Sequence, residues 1–454
     1  MTTNMYLNDF NCISPIDGRY KNITEPLSKF FSEFALIKWR VFVEVEYFIN
    51  LIDCKIITNE EIDDSFRNKI KSIYLNFDDE DCAIIKKIEK EINHDVKAVE
   101  YFVKEKIDSL GLGKLKEFVH FGLTSQDINN VAIPMTIKKW FENIFIVDIY
   151  KLIDKLESLS EGTSDVVMIA RTHGQPASPT KMGKEIMVFV ERLKNQVKMI
   201  EQIRFWGKFG GATGNFNAHI VAYPHINWID FGNKFLGQMG LKRYQFTTQI
   251  EHYDHLSALF DNLKRINVIL IDFCRDIWQY ISMEYFNQKV NYGEVGSSAM
   301  PHKINPIDFE NAEGNLGIAN SILNHLSEKL PISRLQRDLT DSTVLRNVGV
   351  PMAHIKISFN SIIKGVEKLV INKKKIDEDL DSNWAVISEG IQTILRRERY
   401  PKPYEALKDL TRGNVHLSKE DIWEFIDGLN VDEIIKIELK SLSPSNYSGI
   451  FKMN

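Results

Sequence analysis

The sequence predicts an all-α protein, and three observations carry that expectation. Apolar residues recur at helical three- and four-residue steps along most of the chain. Strand-like alternation is nearly absent, the best extended run being Val166-Val167-Met168-Ile169-Ala170. Several uninterrupted stretches exceed the roughly 8–20 residues of ordinary globular helices, which points to a bundle of long helices.

In chain order, Ser14-Pro15-Ile16-Asp17-Gly18-Arg19-Tyr20 reads as a turn that presents an arginine and a tyrosine. A helix follows over about 28–53, where Phe31, Phe34, Ile37, Val41, Val45 and Phe48 form one buried stripe. Another covers about 80–107, contains Asn93-His94-Asp95, and is broken by Gly111 and Gly113. Residues 134–159, 181–206, 251–289, 306–330 and 338–371 then read as long helices. The third would run about 58 Å at ~1.5 Å per residue, and Pro351 should kink the last. From about Asn372 shorter helices follow, rich in Lys and Glu. The expected division is an N-terminal helical domain (1–112), a central long-helix domain (113–366) and a C-terminal helical domain (367–454).

Lys+Arg total 57 and Asp+Glu 62, a net charge of −5, which argues against a nucleic-acid coat or a basic membrane surface. Cys12, Cys54, Cys82 and Cys274 are scattered without a CxxC pair, so a reducing, cytoplasmic setting is expected and neither zinc nor disulfides are supported. The first ten residues do not look like a signal peptide, and no stretch approaches the roughly 20 apolar residues of a membrane span.

Four polar clusters interrupt the helical pattern: Asn93-His94-Asp95, Thr124-Ser125-Gln126-Asp127-Ile128-Asn129, Thr172-His173-Gly174-Gln175 and the loop from Gly293 to Pro306. Each has a plain structural explanation. His94 beside Asp95 reads as a partly buried imidazole, Thr124-Ser125 with Asp127 as a helix cap, and the last cluster as an interhelical turn. His173 in a Pro-rich turn is harder to dismiss. A bundle needs none of the four for packing, and their joint presence favours function. The last loop carries Ser297, Ser298 and Lys303 just ahead of a helix start at Asn305-Pro306, where unpaired N–H groups and partial positive charge suit an anion. His252 and His255 flank Asp254 at a metal-like spacing but lack a third ligand, and a polar helix start is the better account.

The run Gly296-Ser297-Ser298-Ala299-Met300-Pro301-His302-Lys303-Ile304-Asn305-Pro306 resembles the signature loop of the fumarase/aspartase superfamily. The Thr124-Ser125 and Thr172-His173 clusters resemble its other two motif regions, in the same order. Within the superfamily the chain is most similar to adenylosuccinate lyases of the long bacterial type, through residues 14–20, 93–100 and 333–346. The resemblance implies an elimination of fumarate with breakage of a C–N bond and no cofactor, acting on adenylosuccinate and on the succinyl-carboxamide ribotide SAICAR. By resemblance Ser297 is the general base, His173 the general acid and His94 its helper. Lys303, Ser298 and Asn305 serve the developing negative charge. Asn93, Asp95, Thr124, Ser125, Gln249 and Asn311 would hold the substrate, and Arg19, Tyr20, Arg337, Ser342 and Arg346 its nucleotide part, where guanidinium forks match a phosphate.

The clusters lie far apart along helices several tens of ångströms long, so different subunits are expected to contribute to one site. The resemblance likewise implies a homotetramer with a shared helical core and composite sites, binding a small-molecule substrate rather than nucleic acid or membrane. Two rivals remain at this stage. One is another lyase of the superfamily (argininosuccinate lyase, aspartase or fumarase), which would not need the Arg337–Arg346 set. The other is a catalytically silent structural protein, which would have eroded Ser297, His173, His94 and Lys303.

Overall fold

The computed structural model describes residues 11–57, 63–289, 300, 303–411 and 417–452. Helices make up nearly all of the regular structure, as the periodicity required, and three two-stranded sheets accompany them among the described residues. No described helix is long and apolar enough to cross a membrane. The chain divides into two compact units: residues 1–149, 196–268 and 314–358 form unit 1, and 150–195, 269–313 and 359–454 form unit 2. The boundaries all fall inside helices, namely Ile146–Gly162, Met182–Ile200, Asp254–Ser282, Ile307–Lys329 and Gly349–Lys368.

In unit 1 the expected helix over 28–53 is interrupted at Ser32. Its extended backbone and a side chain that accepts the Ala35 N–H at 3.1 Å restart the helix as α1 (Glu33–Asp53). Ile37, Val41, Val45 and Phe48 are buried along it. Helix α2 (Asp64–Leu75) was not expected, because only Ile70 and Ile73 mark its buried side. The expected helix over 80–107 is two, α3 (Asp79–Ile92) and α4 (Asp95–Ile107). Asn93 adopts a left-handed conformation (φ 53°) that ends the first.

Helix α5 (Ser125–Trp140) begins before the expected start at Pro134. A capping box between Thr124 and Asp127 sets that start. Pro134 sits inside the helix without breaking it, and the reason is visible. With no N–H at position 134, the Asn130 carbonyl lacks its usual helical donor, and the Lys208 N–H takes that place at 3.4 Å.

The capping carboxylate has a second task. Asp127 and Lys208 are both fully buried and pair at 2.8 Å, and Asp127 Oδ1 also accepts the Gly210 N–H at 2.8 Å while Oδ2 accepts those of Gly211 (3.0 Å) and Thr124 (2.9 Å). Beside this pair lies an aromatic core in which Tyr47 meets Phe209, Phe231 and Phe235 edge to face. Gly122 (φ +68°) has its Cα so close to the His219 ring that a Cβ would approach within 2.8 Å. The His219 ring lies tilted against Trp228, with centroids 4.6 Å apart, and burial depresses its pKa to about 4.

In unit 2, strands β1 (Val167–Thr172) and β2 (Gln175–Lys181) form an antiparallel hairpin with a bulge after Ile169. Val166–Ala170 was the extended run expected; β2 escaped notice because Pro176 and Pro179 disguise it. The helix expected over 251–289 is shorter, Asp254–Ser282, about 43 Å at ~1.5 Å per residue. Tyr253 (φ 60°) precedes it and Glu284 (φ 61°) follows it, after which Phe286–Gln288 pairs with Leu369–Ile371. The helix expected over 338–371 is also two, Thr340–Leu345 and Gly349–Lys368. Pro351 lies in the first turn of the second, where its missing N–H costs nothing, so it starts a helix and does not kink one. The C-terminal helices enclose their own core, including Ile387, Ile391, Leu395, Ile422 and Ile426.

Two stability predictions follow from the buried charges. Asp127→Ala should lower the unfolding free energy by about 3–5 kcal/mol, the cost of stranding a buried partner, as measured by urea denaturation. Glu44, fully buried on α1, lies 2.5 Å from His120 Nδ1. Burial pulls the His120 pKa down, but the Glu44 carboxylate outweighs it and leaves the pKa raised. Protonated His120 therefore stabilises the fold fully below its unfolded pKa, about 6.5, and this contribution is lost as pH rises through the folded value. The stability advantage of the wild type over His120→Gln should be full below about pH 6.5 and shrink as pH rises above it in urea titrations.

Candidate active site

His94 follows the left-handed Asn93, and its Nδ1 accepts the Lys97 N–H at 3.1 Å, so the imidazole itself caps α4. An accepting Nδ1 places the proton of the neutral ring on Nε2, and the half-exposed ring offers that N–H outward. Asp95, the next residue, is fully engaged. Its Oδ1 accepts the Val96 N–H at 2.8 Å, and its Oδ2 accepts from Arg40 at 2.8 Å and Arg346 at 3.1 Å. Burial works against the Asp95 carboxylate, yet Arg40, the Val96 N–H and Arg346 together hold its pKa below the ordinary value.

Arg40 is the link among these groups. Only 3% exposed on α1, it donates through Nη2 to Asp95 and through Nε to Asn129 Oδ1 at 2.8 Å. Asn129 belongs to the helix that begins at Ser125, so one guanidinium fastens the His94 segment to the Thr124-Ser125 segment. A cavity of about 110 Å³ lies here, lined by Phe31, Arg40, Gln126, Asn129, Ser342 and Arg346 among others.

A second guanidinium stands nearby in sequence to Arg346. The Gln126 side-chain oxygen accepts from Arg337 Nη1 and, at 2.8 Å, from Nη2. Nη2 also reaches Ser342 Oγ at 3.3 Å. Asp341, buried beneath, accepts from Tyr253 Oη at 2.7 Å, which in turn accepts from Asn130 at 2.8 Å. The Gln249 N–H donates to the Gln336 carbonyl at 3.3 Å, bringing that residue beside the Arg337 segment. Arg19 is exposed, with its guanidinium 5.9 Å from the Tyr20 ring.

Unit 2 carries the remaining described residues. His173 and Gly174 form the tip of the hairpin with φ of 54° and 76°, the two positive values of a type I′ turn, and both are exposed. The hairpin is braced by Arg171 against Asp379 at 3.5 Å and by Ser178 against Glu389 at 2.5 Å. Lys303 is exposed. The carbonyl of Pro306 accepts from Phe309 and Glu310, so Pro306 and not Asn305 is the residue half inside the helix start, a shift of one position. Asn311 accepts from Ser361 at 3.0 Å. Ser297 and Ser298 lie outside the described residues, as does His302.

His252 and His255 look to different partners, the Phe246 carbonyl at 2.8 Å and the buried Glu251 at 3.0 Å. Sequence reasoning did not single out Arg40, and it reached Asn129 only as the last residue of the Thr124–Asn129 cluster, without a role. A signal for the first existed: Arg40 and Glu44 interrupt the apolar stripe Ile37–Val41–Val45–Phe48, each one residue ahead of a buried valine. Charges facing a core are rarely idle.

Solved structures first identify the fold. A 3-carboxy-cis,cis-muconate lactonizing enzyme from Pseudomonas putida matches at a TM-score of 0.72 and 17% identity, covering 94% of each chain. A fumarate lyase from Mesorhizobium sp. BNC1 matches at 0.71 and 17%, covering 94% of this chain and 95% of its own. Sequence then narrows the class. A lyase family model matches residues 18–320, and an adenylosuccinate lyase C-terminal model matches residues 333–448. The adenylosuccinate lyase of Dictyostelium discoideum is 57% identical, covering 99% of this chain and 98% of its own. Those of Haemophilus influenzae and Escherichia coli (strain K12) are 46% and 45% identical, each covering 98% of both chains. The chain belongs to the adenylosuccinate lyase family of the fumarase/aspartase superfamily.

The two arginines on Asp95 should differ sharply when removed. Arg40→Met should lower the unfolding free energy by about 3 kcal/mol, the lower end for a broken buried pair because Arg346 still faces the carboxylate. Arg346→Gln, which removes an exposed partner, should cost under about 1 kcal/mol in the same urea assay.

Proposed function

We propose that this protein cleaves adenylosuccinate to AMP and fumarate, and SAICAR to AICAR and fumarate, in purine nucleotide biosynthesis. The observation that carries the reading is identity of 45–57% with adenylosuccinate lyases over almost the whole chain. In the proposed reaction a base removes a proton from the succinyl carbon next to a carboxylate, whose oxygens take up the charge as a dianion. The C–N bond then breaks, fumarate leaves, and an acid returns a proton to the purine-side nitrogen. No electrons are gained or lost, so the step needs no redox cofactor.

Ser297 is assigned as the base. A serine hydroxyl is far too weak a base in water, so Lys303 and the N–H groups at the start of Ile307–Lys329 must favour its alkoxide. Those groups, with Ser298 and Asn305, also suit the dianion. His173 is assigned as the acid; its exposed place on a braced turn supports that role. His94, with its proton held on Nε2, is assigned as its partner. Asn93, Asp95, Thr124, Ser125, Gln249 and Asn311 hold the succinyl and neighbouring parts, Asp95 acting through Arg346 because its own oxygens are engaged. Arg19, Tyr20, Arg337, Ser342 and Arg346 take the nucleotide. We further propose a cytoplasmic homotetramer with sites completed across subunit seams. The half-exposed Val268 and Ile318 on long helices of unit 1 favour a further helical partner, and the four unpaired cysteines favour a reducing compartment.

A spectrophotometric assay with adenylosuccinate, argininosuccinate, aspartate and malate tests the substrate: turnover is expected with the first alone, and turnover of another in its place overturns the reading. Ser297→Ala and His173→Asn should each lower kcat by roughly 10²–10⁴-fold with little change in Tm. An unchanged kcat in Ser297→Ala removes the base assignment, and a fully active monomer in sedimentation removes the composite site.

A further inference from the structure

Arg346 has two carboxylate partners of unlike kind. Asp95 is anchored, because the buried Arg40 and the Val96 N–H hold it whether or not Arg346 is present. Glu33 is exchangeable. It is the first residue of α1, its side chain is 42% exposed, and it offers one oxygen to each of two cations. Its Oε2 accepts from Arg346 Nη1 at 2.9 Å, and its Oε1 from Lys86 at 3.2 Å. Lys86 in turn has a shorter contact to Glu89, at 2.7 Å. Releasing Oε2 therefore leaves Glu33 still paired.

We propose that Glu33 is a placeholder for the substrate's phosphate on Arg346. The phosphate displaces Glu33 Oε2 from Nη1, while Asp95 keeps Nη2 and so keeps the guanidinium aimed at the cavity that both Glu33 and Arg346 line. The inference rests on the assignment of Arg346 as a phosphate contact and adds what the free protein does with that group. A phosphate carries about −1.5 to −2 at pH 7 and matches a guanidinium edge in two places, so it outcompetes a single, solvent-screened carboxylate oxygen. A ligand lacking such a group cannot make the exchange. Glu33 thus lowers affinity for phosphate-bearing product and substrate alike and leaves a ligand without the phosphate unaffected.

Isothermal titration of AMP and of adenosine into the wild type, Glu33→Gln, Glu89→Gln and Arg346→Gln tests this. Glu33→Gln should lower the Kd for AMP by about two- to fivefold, the range an exposed ion pair is worth, with no change for adenosine. Glu89→Gln, which removes a like charge from the same lysine, should change neither. If Glu33→Gln leaves the AMP Kd unchanged or raises it while Arg346→Gln weakens AMP, the placeholder is wrong and the phosphate assignment stands. Equal tightening by Glu33→Gln and Glu89→Gln reduces the effect to general charge and overturns the proposal. An AMP Kd unaltered in Arg346→Gln removes the phosphate assignment itself.

Discussion

The buried pair of Asp127 and Lys208 is the constraint on which unit 1 is arranged. One carboxylate caps the helix that begins at Ser125, neutralises a lysine with no access to water, and gathers the N–H groups of Gly210 and Gly211. Lys208 in return donates to the Gly211 carbonyl through its ammonium and to the Asn130 carbonyl through its backbone, the latter in the place Pro134 leaves open. The position of the Thr124 and Ser125 hydroxyls is thereby set by a contact that neither of them makes. Burial on this scale needs complete pairing, since a single unmatched charge would cost more than most side chains contribute.

A second layer of charge is built on the first with a different purpose. Arg40, Asp95 and Arg346 alternate in sign from the interior outward, and each step is more exposed than the last: side-chain exposures run 4%, 28% and 43%. The inner guanidinium fixes geometry, the carboxylate passes that geometry on, and the outer guanidinium stays near enough to water to accept a ligand. Rigid support beneath a half-exposed cation is what recognition of a phosphate asks for, because the donor must be aimed before the ligand arrives.

The helical class was legible because the 3.6-residue repeat is strong, and the polar clusters were legible because nothing in helix packing calls for them. Helix ends were read less well, each for a local reason. Ser32 and His94 restart helices through side-chain acceptors that composition does not reveal, and His94 is an unusual cap. Pro134 and Pro351 misled in opposite ways: the first is tolerated mid-helix because Lys208 uses the carbonyl it frees, and the second opens a helix. The residues proposed to face the substrate were named from motif positions. The joint role of Arg40 and Asn129 was not legible, since it lies in a contact between residues distant in the chain; the polar cluster marked Asn129 without a role, and only the charge on an apolar stripe hinted at Arg40.

That arrangement of Arg40, Asp95 and Asn129 also shapes how the gene can drift. Replacing all three together by hydrocarbon of similar volume could keep or even improve the fold, since such swaps are often neutral or favourable. Replacing any one first strands the others, so every single-codon path out of the polar trio begins downhill. Purifying selection on heat tolerance alone would therefore preserve the trio through long lineages, even in a descendant that had ceased to turn over any substrate.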